Sequence, residues 1–128
     1  MPLKPSPHTY LIAAGEHSGD LLGADLAMAL RERLPKFQPF GIAGQAMIKA
    51  KVKPVASISE LNVMGVGEVL AKIGPLRMLE SRILASVDRF KPDFAVLIDN
   101  PGFNLRLAEQ LAMRQIPVYQ YVAPKLWA

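Results

Sequence analysis

Phe94-Ala95-Val96-Leu97-Ile98-Asp99-Asn100-Pro101-Gly102-Phe103-Asn104 decides how the rest of this chain is read. Its first five residues are apolar without interruption, the pattern of a strand buried on both faces in a helix-covered parallel sheet. The run stops at Asp99, Asn100-Pro101-Gly102 is a turn signal, and Asn104 is placed to cap a helix over Leu105–Arg114. A carboxylate therefore stands at the carboxyl end of a buried parallel strand, where open α/β sheets hold their ligands. Such an acid either works on a ligand or only accepts hydrogen bonds from loop amides. Position alone leaves both readings open.

Outward from this stretch the same rhythm recurs. Tyr10–Ala14 is a continuous apolar strand that breaks at Gly15-Glu16-His17-Ser18-Gly19, where Ser18 or Asp20 can cap the next helix. That helix, over Leu21–Leu34, sets Leu22, Leu26, Ala29 and Leu30 in one stripe, and Pro35 ends it. Phe37–Ile42 reads as a second strand, Gly44–Lys51 as a short helix and Val52–Val55 as a third strand. Leu61–Gly67 is an apolar, glycine-loosened segment feeding a helix from near Glu68, which Pro75 is expected to kink or split. A second amphipathic stretch, Leu79–Phe90, carries Ile83, Leu84, Val87 and Phe90 on one side, and Ile116–Val122 is the last strand. Strands alternating with helices over short loops predict an α/β fold, a doubly wound parallel sheet, over residues 9–128. The proline-rich residues 1–8 read as a disordered tail.

Composition narrows the function classes. The chain has 128 residues, 51% apolar and 20% charged, which is enough for one domain with a real core. It has no cysteine, so disulfides and thiolate metal sites are excluded. No apolar run has the length of a signal-peptide core or of a bilayer span. The formal charge of +4 comes from basic residues scattered singly. No aromatic-interleaved basic stripe stands out, which argues against nucleic acid as a partner.

The loop after the first strand carries its own chemistry. Gly15, Gly19 and Gly23 are evenly spaced and do not make the G-x-G-x-x-G of a dinucleotide loop, nor does an acid follow the second strand to hold a ribose. Glu16 and Asp20 complement the positive end of the helix and would repel a phosphate. With Ser18 they suit sugar hydroxyls better, although for Asp20 taken alone a helix cap is the plainer reading, and for Glu16 contact with ligand. His17 has no second histidine outside the tail with which to build a metal pair or a triad, so a loop imidazole is the plainer reading. Asp99 can serve as a general base toward an alcohol, yet no P-loop or second glycine-rich loop supplies a leaving-group site. The apolar face of Val63–Leu79 (Val63, Met64, Val66, Val69, Leu70, Ile73 and Leu76) is either core packing or, with Lys72 and Arg77 beside it, a lipid-seeking patch.

Five blocks in order, A-G-E-H-S-G-D-L-L-G-A (Ala14–Ala24), G-I-A-G-Q-A-M (Gly41–Met47), L-N-V-M-G-V-G-E-V-L (Leu61–Leu70), P-D-F-A-V-L-I-D-N-P-G-F-N (Pro92–Asn104) and Y-V-A-P-K-L-W-A (Tyr121–Ala128), resemble the amino-terminal half of bacterial lipid-A-disaccharide synthases. The resemblance implies a Rossmann-like domain of a GT-B hexosyltransferase that joins UDP-2,3-diacylglucosamine to 2,3-diacylglucosamine 1-phosphate and releases UDP. It implies no metal or other cofactor, and work at the cytoplasmic face of the inner membrane as a peripheral protein. It matches Asp99 to the general base, and Gly15, Glu16, Ser18, Gly19, Asp20 and Asn104 to the substrate side. The Val63–Leu76 stretch matches the acyl-chain and membrane patch. The departures are Asn100 and Gly102 in the Asp99 loop, Gln45 in place of a proline, Ala123 and Lys125 in place of serines, and the absence of the UDP-binding carboxyl-terminal half. Two other classes fit the same fold: a non-catalytic lipid or sugar-phosphate binding module, and a protein-docking domain.

Overall fold

The computed structural model describes residues 8–63, 69–99 and 101–121, apart from the side chains at 62–63, 69–73 and 101. Within them the elements run β1 (His8–Ala14), α1 (His17–Arg33), β2 (Phe37–Ala43), α2 (Gln45–Lys49), β3 (Lys53–Ser57), α3 (Ile58–Val63), α4 (Val69–Phe90), β4 (Phe94–Ile98), α5 (Pro101–Met113) and β5 (Val118–Tyr121). The strands form one five-stranded sheet in the order β3-β2-β1-β4-β5. Every pairing is parallel, which makes the expected doubly wound α/β architecture. β1 is the middle strand and β4 its neighbour, and both are buried almost throughout because helices cover them.

The chain moves from β1 out to β3, then returns across the sheet to β4 and β5. Right-handed crossovers accordingly set α1 and α2 on one face and α4 and α5 on the other, and each pair is packed together. On α4, Leu79, Ile83 and Val87 recur at four-residue spacing and are buried, with Leu107 and Leu111 of α5 beside them in the same core. Each fully buried side chain of this kind contributes roughly 1.5–3 kcal/mol relative to exposure. The helices on this face are tied across their surface by Arg82–Glu60, Arg106–Glu80 and Arg114–Asp88 pairs at 2.6, 3.1 and 2.8 Å. The exposed Arg82–Glu60 and Arg114–Asp88 pairs contribute little, whereas Glu80 of the second pair is buried.

Several boundaries differ from the sequence reading. His8, assigned there to the tail, is the first residue of β1: its ring stacks on Phe37 and its Nδ1 lies 3.0 Å from Asp93 Oδ2. α1 starts at His17, four residues before Leu21. Pro75 does not split α4, which runs through it as one helix. The proline lies near the amino-terminal end, so it forfeits a single i→i−4 bond, and both Gly74 and Pro75 are exposed. α3 was not foreseen, although Ser57-Ile58-Ser59-Glu60 is a capping box. The Ser57 amide donates to Glu60 Oε2 at 2.7 Å and the Ser59 amide to Ser57 Oγ at 3.2 Å. α5 begins at Pro101, whose fixed φ and missing N–H suit a first helical position, so Asn104 stands inside the helix rather than capping it. The last strand is shorter than Ile116–Val122, and Val122 lies outside the described residues.

Candidate active site at the sheet's switch point

In the sheet order the chain reverses direction between β1 and β4, and open α/β sheets bind ligands at that crevice, outside the strands' carboxyl ends. Ala14 and Ile98 are register partners. Gly15-Glu16 and Asp99 therefore leave the sheet side by side.

Asp99 is half-buried and adopts φ +50°. Among the described residues three other non-glycine positions have positive φ, namely Lys51, Lys91 and Gln115, and each directly follows or closes the end of a helix, α2, α4 and α5. That is an ordinary way for a helix to stop. Asp99 alone follows a strand. An acid tolerates this left-handed conformation better than most residues, and backbone held this way clusters at functional sites. The turn is fixed from two sides. The Asp99 amide donates to the Tyr121 carbonyl at 3.0 Å, and Asn104 Nδ2 donates to the Asp99 carbonyl and, at 3.3 Å, to that of Ile98.

The β1–α1 loop divides its residues between mouth and support. Glu16 occupies the N-cap position in extended backbone, yet its side chain makes no capping bond. Glu16, His17 and Ser18 are exposed, while Gly15 is buried at the end of the strand. A carboxylate, an imidazole and a hydroxyl thus stand beside the Asp99 turn, a donor and acceptor set fitted to polyhydroxylated ligands and ill-suited to a phosphate cradle. Among the described residues no three of His, Cys, Asp and Glu come close enough to hold a metal ion.

Three residues expected to face ligand have other work. Asp20 is 3% exposed. Its carboxylate accepts hydrogen bonds from the amides of Gly44, Ala46 and Met47 at 3.0–3.1 Å, and so caps α2 from a different helix. The cause was legible: α2 opens on Gly44-Gln45-Ala46 with no capping side chain of its own. A Cβ at Gly44 would lie 2.5 Å from that carboxylate. Gly19 lets α1 sit down on the switch point, since a Cβ there would meet Ile98 Cγ2 at 3.2 Å and Ala14 Cβ at 3.5 Å. Asn104, 4% exposed, is occupied with the Asp99 turn. The three residues expected on the substrate side, Asp20, Gly19 and Asn104, are thus buried and held against the fold.

Beside the Asp99 turn lies an apolar trough that the sequence did not announce. Leu22 and Leu26 of α1, Ile98 of β4 and Tyr121 of β5, with Asp25, line a hollow of about 280 Å³. It continues past Leu26 and Tyr121 into one of about 370 Å³ floored by Phe94, Val96 and Tyr119. Among the described residues, both crossovers that lead to β4 and β5 run over the opposite face. Of the Val63–Leu76 stretch, Met64 and Val66 lie outside the described residues, as do the side chains of Val63, Val69, Leu70 and Ile73. Leu76 is partly buried against the core, and no helix among the described residues is long and apolar enough to cross a membrane.

The chain is similar to known proteins over nearly its whole length. The model of the lipid-A-disaccharide synthetase family matches residues 10–128. Lipid-A-disaccharide synthase of Myxococcus xanthus is 42% identical over 124 residues, covering 96% of this chain and 32% of the relative. That of Koribacter versatilis is 43% identical over 119 residues, 92% of this chain and 31% of the relative. The Shigella flexneri protein of the same name is 39% identical over 122 residues, 95% and 32%. The chain spans about a third of the length of the curated relatives it matches. With Asp99 and the Gly15–Asp20 loop inside the matched region, the chain belongs to the lipid-A-disaccharide synthetase family.

Proposed function

We propose that this chain is the acceptor-side domain of a GT-B glycosyltransferase. The whole enzyme condenses UDP-2,3-diacylglucosamine with 2,3-diacylglucosamine 1-phosphate and releases UDP. Asp99 is the general base. Its carboxylate takes the proton of the acceptor's 6-hydroxyl as that oxygen bonds to the donor's anomeric carbon, and the electron pair of the breaking C–O bond leaves with UDP. Glu16 and Ser18, with the backbone at Gly15, hold acceptor hydroxyls. The donor site belongs to the part of the relatives' length that this chain does not span, so the chain alone binds acceptor and does not turn over. The trough beside Ile98 offers apolar surface to an acyl chain next to the reacting hydroxyl, and the Val63–Leu76 stretch, Met64 and Val66 included, contacts the cytoplasmic face of the inner membrane as a peripheral patch.

The observation that carries this reading is Asp99's left-handed backbone at a strand end on the switch point. The test is Asp99→Asn in an enzyme of the relatives' full length carrying this domain. Asparagine also tolerates positive φ, so the fold is kept while the base is lost. A fall in kcat of about 10²–10⁴-fold with unchanged melting temperature is expected. Undiminished disaccharide formation would remove the assigned role.

A further inference from the structure

At the opposite pole of the sheet, β2 overhangs β3. The strand pairing of β3 begins only at Lys53 beside Phe40, which leaves Phe37, Gln38 and Pro39 without a neighbour on that side. A pocket of about 440 Å³ opens there. Its body is apolar, made by Pro35, Phe37, Pro39, Phe40 and Phe90, and its rim carries Arg31, Lys51 and Lys53. No acid lines it.

The parts are held in place. Phe40 and Phe90 pack ring to ring at 5.1 Å, and Thr9 Oγ1 donates to the Phe90 carbonyl at 3.1 Å. Lys53 Nζ stands 4.9 Å over the Phe90 ring. Arg31 donates to the Ala50 carbonyl, which fixes its guanidinium at the rim. Lys51, at φ +73°, is turned by the end of α2, and its amide bonds to the Ile48 carbonyl at 3.0 Å. Pockets with this make-up, aromatic and apolar walls with a few convergent polar groups, are the ordinary form of a small-molecule site.

We propose that this pocket binds an anionic amphiphile, with a phosphate or carboxylate between Arg31, Lys51 and Lys53 and an alkyl or aryl body against Phe37, Phe40 and Phe90. Three cations without a lining acid select the charge, and the rings select the body. The site is separate from the switch-point crevice and does not depend on Asp99 being a base.

Hexyl phosphate titrated into the full chain, followed by the backbone amide resonances of Gln38, Phe40 and Lys53, tests it. Saturable shifts confined to the pocket are expected, at least tenfold tighter than inorganic phosphate and than hexanol. Lys51→Gln with Lys53→Gln should weaken hexyl phosphate at least tenfold without moving the melting temperature, since both side chains are exposed. Shifts spread over all surface lysines, equal binding of inorganic phosphate or of hexanol, or a double variant that binds as before would each overturn the proposal. Vesicles with and without phosphatidate then separate the sources. Capture that the double variant loses means a lipid headgroup, and hexyl phosphate binding without capture means a free amphiphile.

Discussion

At the carboxyl ends of β1 and β4 the chain sets acids, Glu16, Asp20 and Asp99, whereas at the amino ends of β2 and β3 it sets cations, Arg31, Lys51 and Lys53. Part of this contrast is demanded by the fold. In a parallel α/β sheet every helix starts at the carboxyl pole and ends at the amino pole. Acids there meet positive helix ends and cations here meet negative ones. Charge by itself therefore does not separate a site from a scaffold; burial and saturation do. Asp20 is spent on the first amides of α2, whereas Arg31 gives one bond to the carbonyl that follows α2 and stays exposed at the pocket rim. Glu16 on one side, and Lys51 and Lys53 on the other, are exposed. The same helix thus sorts both poles into residues that hold the fold and residues left for ligands.

The sharpest way to break this division is Asp20→Ala set against Glu16→Ala. The first deletes the buried acceptor for three amides, that of Met47 buried and those of Gly44 and Ala46 partly so, and should cost about 3–5 kcal/mol of unfolding free energy in urea. The second should stay within about 0.5 kcal/mol and change only acceptor binding. Equal effects would dissolve the distinction between support and mouth.

Tyr10 gives a probe nearer the amino pole. Burial pushes its hydroxyl from 10.0 up to about 12, against a smaller opposing pull from Arg31. The unfolded chain ionises this tyrosine first. Stability is therefore complete below about pH 10 and falls between there and pH 12, by roughly 2–3 kcal/mol. Across that window the parent's denaturation midpoint should fall relative to that of Tyr10→Phe as the pH rises, because phenylalanine removes the slope this residue contributes. Parallel curves would mean the ring is not buried in solution.

The smallest expected effect lies at the capping box of α3. The Arg82 side-chain bond and the Ser57 amide hold the Glu60 carboxyl below its ordinary 4.5. Its contribution is present above that value and disappears as the pH falls through and below it. The pair is partly exposed, so Glu60→Gln should remove no more than about 0.5 kcal/mol at pH 7 and flatten the acid limb slightly. A loss of several kcal/mol would show that α3 carries more of the carboxyl pole than its exposed ion pair indicates.

By itself the sequence determined the alternation of strands and helices, because unbroken apolar runs such as Tyr10–Ala14 and Phe94–Ile98 have few stable fates other than buried parallel strands. It also put an acid at the end of one of them. It could not tell a capping carboxylate from a binding one, since Asp20 and Glu16 are four residues apart in the chain and differ in what packs against them. That Asp20 supplied the cap α2 lacks, across 24 to 27 positions of chain, was decided in three dimensions. The amino-pole pocket belongs to the same class. Arg31, Lys51 and Lys53 are ordinary scattered cations in the linear chain, and only the late start of β3 beside β2 gathers them round one apolar hollow. Local pattern fixes the elements because burial acts residue by residue, whereas a site is a set of distances between elements, and those distances exist only after the sheet has assembled.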